Sequence, residues 1–330
     1  MDQLFNFTVS TDFITEFALF FRAHRIYYSL AVGGLAFILQ IVLFYAILYK
    51  SPAQFHVFKN LVFVDNVLAF VFNISCVVMQ PMADSKGGNI FLMFDGVFAH
   101  IRQPYNCALW MFFMFVMMST VVVLPLQYIY RYFLIVRKAT ITTKHLALMF
   151  LFAILIIVSH CVAGQIIFSY NELDSVQKGF SLLLKQDPFY AMDVPVFTVL
   201  DKSNPAVIAH FLSNSSILMG SYLIVMICSY KILNELRRCN KSMSRTTREM
   251  NAQLSLLLFI QAAVPFFSLS MPVLLQVILS LFGQSMPNAA VMLVLVIEWA
   301  PIVDALATIL IVPSYRPNSS FLASYKNYPD

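Results

Sequence analysis

Charge is what this chain has least of. Lys, Arg, Asp and Glu make up 11% of its residues, against about 25% in an ordinary soluble domain. Apolar residues make up 60% and the mean hydropathy is +0.78, so one integral membrane domain is expected, with the lipid bilayer as its solvent. Disulfide chemistry is missing as well. The five cysteines, at 76, 107, 161, 228 and 239, are scattered without metal-ligand spacing, and four fall inside apolar runs, where a thiol usually acts as a small buried hydrophobe. Glycine is scarce, with nine residues, and no internal repeat is visible, which counts against transporters built from repeats and broken helices. Enzyme signatures are absent: there is no HExxH, no GxxxxGK[ST] and no GxSxG, and the six histidines form no helical pair. No catalytic residue, metal site, cofactor or nucleic-acid partner is expected. The first 25 residues lack the basic start and short apolar core of a cleavable signal, so the first span is expected to act as its own insertion signal.

Long apolar runs are what the chain does have. The central one is residues 105–138, YNCALWMFFMFVMMSTVVVLPLQYIYRYFLIVRK, which carries no charge before Arg131. As a helix, its uncharged part is ~39 Å long, more than the ~30 Å hydrocarbon core of a bilayer. Seven such spans are expected, at about 26–49, 60–80, 105–131, 145–170, 205–232, 251–282 and 288–312. The reading is an all-α seven-transmembrane helix bundle over residues 26–312, with an N-terminal segment 1–25 and a short tail 313–330. Lys and Arg number 14 in the loops 50–59, 131–144 and 231–249 and the tail, against 7 on the other side. Positive loops stay cytosolic, so the N-terminus is expected outside and the C-terminus inside. Asn6, in the sequon Asn6-Phe7-Thr8, is the candidate glycosylation site; the sequons at Asn73, Asn214 and Asn318 fall in spans or tail and are expected to be silent.

Arg131, between Tyr130 and Tyr132, has two readings: a snorkelling anchor at a helix end, or a gate residue that meets a cytosolic partner. Arg137, Lys138, Arg237, Arg238 and Arg245 add a basic rim that attracts acidic lipid or an acidic partner. Asp65, Asp304 and Glu298 lie within spans, where ionisable groups are costly and are functional candidates by default. Counted from the cytosolic ends, Asp65 sits ~9 Å deep, Asp304 ~17 Å and Glu298 ~27 Å. The ~8 Å offset argues against a direct pairing of the two aspartates. With Asn66 they form either a hydrated polar patch or a cation or proton switch. Pro265 should kink span six, with Ser268 or Gln261 satisfying the freed carbonyl. Asn106, Trp110 and Met114 on span three, Ser268 on span six, and Glu298 and Trp299 on span seven are the candidate ligand contacts; core packing or lipid contact is the competing reading of that Met and aromatic stripe.

Three stretches carry a family resemblance. LPLQYIYRYFLIVRK, MNAQLSLLLFIQAAVPFFSLSMP and EWAPIVDALATILIVPSYR resemble the aromatic-YRY end of span three, the glutamine and proline pattern of span six and the P-x-x-D segment of span seven in nematode seven-transmembrane chemoreceptors of the Str superfamily, in its Srd or Str branch. The resemblance implies a G-protein-coupled receptor in the plasma membrane of sensory cilia. It further implies a small environmental molecule such as an odorant as ligand, and a heterotrimeric G protein as partner at Arg131, with Tyr315 and Arg316 closing span seven. Departures exist: Ala305 stands where many members have proline, and Tyr130 replaces the acid of the broader rhodopsin-like pattern. Residues 171–203 contain no cysteine to join Cys107, so packing and polar contacts must close the outer face. A ligand-gated channel or small-solute carrier is the competing reading.

Overall fold

A computed structural model of the chain describes residues 11–50, 56–139, 141–187, 190–191, 193–239, 245–284, 289–312 and 315. Asn6 and Arg316 lie outside these, as does the side chain of Arg245, although that residue opens a helix. The helices are α1 (Thr11–Ala23), α2 (Arg25–Tyr49), α3 (His56–Met79), α4 (Tyr105–Val122), α5 (Leu124–Ile135), α6 (Thr143–Ile167), α7 (Asp174–Leu184), α8 (Pro205–Cys239), α9 (Arg245–Pro265), α10 (Met271–Leu281), α11 (Ala289–Glu298) and α12 (Ala300–Ile311). Three strands, β1 (Pro81–Lys86), β2 (Asn89–Phe94) and β3 (Phe197–Leu200), form an antiparallel sheet in the order β1-β2-β3.

Seven segments among the described residues are long and apolar enough to cross a membrane. Three of them are interrupted, each beside a proline. The third span, which the sequence suggests is one continuous helix, divides at Val123 into α4 and α5, with Pro125 in the first turn of α5. The sixth passes from α9 through a π-helical turn, Phe266–Ser270, into α10 directly after Pro265. Proline has no N–H to donate and crowds the preceding turn, and a π-turn is one way a helix absorbs that. The Ser268 hydroxyl donates to the Val264 carbonyl at 2.7 Å. The seventh divides at Trp299, with Pro301 opening α12.

The third span is the axis of the bundle. Within its most apolar stretch 67% of residues are buried, against 22% for the fourth span, which lies at the rim. The largest core cluster is built around α4, from Trp110 and Phe113 down to Val121, with Phe72 and Cys76 of α3 and Ile157 and Cys161 of α6. Spans one and two meet closely at Gly33, where a Cβ would stand 2.1 Å from a Val77 methyl. That approach lets the Asn73 amide donate to the Gly33 carbonyl at 3.1 Å. Leucines and phenylalanines such as Leu148, Phe152 and Leu155 of α6 face outward, as side chains solvated by lipid tails do.

The sheet lies in the segments that connect span two to three and span four to five. It is a hairpin with a two-residue Gly87-Gly88 turn, both residues at positive φ (59° and 77°). This is the backbone that a tight hairpin demands and that glycine adopts without strain. The third strand comes from the segment between spans four and five. Asn106, at the start of α4, fastens it: its amide donates to the Val196 carbonyl at 3.2 Å and accepts from the Thr198 hydroxyl at 3.0 Å. Asn171 holds the same strand from the other side, accepting from the Val199 N–H at 2.9 Å. These bonds tie span three to the segment after span four without a disulfide. Beside the sheet, Arg22 of α1 pairs with the buried Asp84 at 2.8 Å, and Lys86 with Asp187 at 3.0 Å. Burial, and then the Asp84 carboxylate, push the nearby Tyr190 phenol up from its ordinary value.

Candidate functional site

Beneath the sheet lies a cavity of about 130 Å³, walled by the third to seventh spans and roofed by Ala83, Ile90 and Leu92 of the hairpin. The third span contributes Trp110, Met111, Phe113, Met114 and Met117. Trp110 is stacked on Phe94 of β2 (4.9 Å between centroids, 20° between planes), so the hairpin fixes its indole. Polar groups enter from three other spans: His160 from α6, His210 and Asn214 from α8, and Gln276 from α10. The two imidazoles lie face to face, 4.0 Å apart and 4° from parallel. Gly164 makes room for this arrangement, since a Cβ there would stand 2.6 Å from the Met111 sulfur and 3.0 Å from the His210 ring. Among the described residues, Asp, Glu, Lys and Arg are all absent from the wall.

Of the six ligand contacts expected from the sequence, Trp110 and Met114 line this cavity and four do not. Asn106 is occupied by β3. Ser268 is bonded to its own helix. Glu298 points at the first span instead: it receives Arg25 at 2.7 Å, and the Ser29 hydroxyl reaches both its oxygens at 3.0 and 2.9 Å. Arg25 also donates to the Pro81 carbonyl at 2.8 Å, so one buried ion pair joins span one, span seven and the hairpin. Trp299 is 45% exposed and donates to the Tyr28 hydroxyl at 2.7 Å.

At the far end of the bundle the spans are drawn together. Arg131 is buried, 4% exposed, with its guanidinium 3.5 Å from the Ser255 hydroxyl of α9. One turn earlier the Tyr128 hydroxyl donates to the Leu258 carbonyl of α9 at 2.6 Å. Tyr130 is buried, and Tyr132 lies under the Lys231 ammonium, 5.5 Å from its ring centre. Arg137, Lys138, Arg237 and Arg238 are exposed, and Arg238 pairs with Glu235 at 3.7 Å. Tyr315 packs with Leu43, Ile47 and Val62 of the first two spans.

The sequence model of the serpentine-type 7TM GPCR chemoreceptor Str family matches residues 26–318, nearly the whole chain. The chain belongs to the Str family. The Str bundle is also similar to a solved structure, squid rhodopsin, with a TM-score of 0.56 and 13% sequence identity over 92% of this chain and 86% of that one. At that identity the likeness speaks for the fold alone. No curated protein sequence matches the chain significantly.

Between the cavity and the far end, this Str family member carries a buried polar core. Asp65 receives the Gln261 amide at 3.1 Å, and the same amide reaches the Thr308 hydroxyl at 3.4 Å. Asp304 adjoins Gln261 and Gln127 adjoins Asp65. Asn66 donates to the Gln40 carbonyl at 3.3 Å, while the Gln40 side-chain amide has no partner among the described residues. Gln261 thus stands next to both aspartates, bonding Asp65 and Thr308. Pro265 lies four residues beyond Gln261, so the bond to Asp65 comes from the turn just before the π-helical interruption. His160, His210, Asn214 and Gln276 were not among the ligand contacts expected from the sequence. One signal was available: His210 and Asn214 are four residues apart and share a helix face.

Proposed function

We propose that this Str family receptor is a chemosensory receptor of the plasma membrane that binds a small environmental molecule in the cavity beneath its sheet and activates a heterotrimeric G protein at the opposite end. The sheet and the N-terminus face outside, and the Arg131 end faces the cytosol. This orientation rests on the lysine and arginine bias, by which positive loops remain inside. The setting the family suggests is the sensory cilium of a nematode neuron, with olfaction as the sense served.

The observation that carries this reading is the pairing of a cavity at one end with a closed, arginine-bearing seam at the other, joined by a sixth span that a π-helical turn interrupts. The wall of the cavity includes Pro272, Val273 and Gln276 of α10, and α9 at the other end of that span holds the partners of Tyr128 and Arg131. Ligand contacts that favour one position of α10 therefore bias the position of α9. The shift is an equilibrium between two arrangements, driven by the difference in ligand affinity between them. In the closed arrangement Arg131 is buried. Swinging α9 outward exposes it, with Tyr130, Tyr132, Arg137, Lys138 and the exposed arginines of α8 around it, as a basic crevice for the G protein.

Arg131→Ala is expected to abolish ligand-evoked G-protein signalling in a reporter cell while surface expression stays at the parent level. Undiminished signalling would remove Arg131 from this role.

A further inference from the structure

The cavity holds more unsatisfied polarity than its apolar wall suggests. Asn214 is 2% exposed, yet neither atom of its side-chain amide has a hydrogen-bond partner among the described residues. His160 is 7% exposed with Nε2 unpartnered, and Trp110 is 4% exposed with Nε1 unpartnered. All three residues line the same cavity. Buried polar atoms of native proteins are nearly always bonded, and each exception asks for a reason. One bound molecule with a polar atom among these three would satisfy them together, since they converge on one cavity from three spans.

The chemistry of that group follows from the wall. A cation would find no carboxylate there, and an anion no lysine or arginine; burying an unpaired charge in such a place is strongly unfavourable. A pure hydrocarbon would leave the amide, the imidazole and the indole unsatisfied. Asn214 offers both a donor and an acceptor, and Trp110 offers a donor. A neutral oxygen serves both kinds of donor as an acceptor, and a hydroxyl can also donate to the Asn214 oxygen. The size of the cavity sets the scale of the rest: a dry protein cavity of about 150 Å³ takes up benzene. Met111, Met114 and Met117 supply flexible, polarizable thioethers around the apolar body.

We propose that the cavity binds an uncharged oxygenated molecule of roughly six to eight non-hydrogen atoms, an alcohol or a ketone, with its oxygen at the Asn214 amide between the stacked histidines and Trp110. This rests on the receptor reading for its biological meaning, while the binding itself can be measured apart from signalling. The chain has two tryptophans, so the full-length Trp299→Phe variant in detergent reports on Trp110 alone by its fluorescence.

The probes are cyclohexanol, cyclohexanone, hexan-2-ol and hexan-2-one, against cyclohexane, cyclohexylammonium and hexanoate. Saturable change in Trp110 emission is expected with at least one neutral oxygenated probe. Its affinity should be at least tenfold above the matching hydrocarbon, and neither ion should bind. Alcohols binding better than the matching ketones would show the Asn214 oxygen at work as an acceptor; the reverse order would show the amide N–H at work. Asn214→Leu is expected to lower that affinity about tenfold and to leave the melting temperature of the empty receptor unchanged or raised, since an unsatisfied amide is removed. Tighter binding of hydrocarbon or ion, no binding by any neutral oxygenated probe, unchanged affinity in Asn214→Leu, or failure of that variant to fold would each overturn the proposal. Binding without G-protein activation in cells would keep this site and reject the receptor reading.

Discussion

The most demanding single residues in this chain are charged ones placed where lipid and apolar side chains surround them. Arg25 and Glu298 survive there because each is the other's partner, with Ser29 also bonding the carboxylate and the Pro81 carbonyl accepting from the same guanidinium nitrogen. Removing one member leaves the other buried and uncompensated, which costs about 3–5 kcal/mol, whereas replacing both by apolar residues of similar volume is often nearly neutral. Arg25→Ala and Glu298→Ala are therefore each expected to lower the thermal stability of the detergent-purified receptor by that order. Arg25→Met combined with Glu298→Leu should lose less than either single variant. A double variant less stable than both singles would show that the cost lies in each residue separately and not in stranding an unpaired charge. The place of Glu298 within the seventh apolar run was legible in the sequence; its partner was not, because Arg25 stands at the edge of the first apolar run and reads as a boundary residue.

Among the elements, the third and sixth spans are those through which the proposed coupling between the two ends would run. Both are broken near a proline, and they touch at the far end through Tyr128, Arg131, Ser255 and Leu258. The Tyr128 bond is neutral and buried, worth about 0.5–1.5 kcal/mol, so its loss corresponds to a two- to tenfold shift in a two-state equilibrium. Tyr128→Phe is expected to raise ligand-independent G-protein activity by about that factor, measured as basal nucleotide exchange at matched surface expression. Basal activity at or below the parent level would mean that this bond does not hold the closed arrangement. The π-turn after Pro265 was foreshadowed by the proline in mid-span, whereas the break at Val123 was not, since the apolar run passes through Pro125 without a change of composition.

On the scale of the whole molecule, the seven-helix bundle was legible because lipid demands long uncharged runs and each run is long enough to show itself. The sheet over the cavity was hidden in two connecting segments whose strands are short and pair across roughly a hundred residues; only the Gly87-Gly88 turn announced the hairpin. The polar corner of the cavity escaped for a related reason. Asn214, His160 and His210 sit on two spans, and a linear reading cannot tell which helix faces meet, while Trp110 was singled out by residue type alone. The aspartates 65 and 304 were recognised as unusual, but the placement of Gln261 beside both depends on how three helices are turned.

The central claim is that a molecule entering beneath the sheet is read by a G protein at the other end. The most direct measurement records ligand-evoked responses in cells expressing the full chain, with and without heterotrimeric G proteins, while monitoring membrane current. The expected result is a second-messenger response that disappears when the G proteins are removed, with no receptor-dependent current remaining. A ligand-gated current that persists without any G protein would contradict the claim and make the chain a channel.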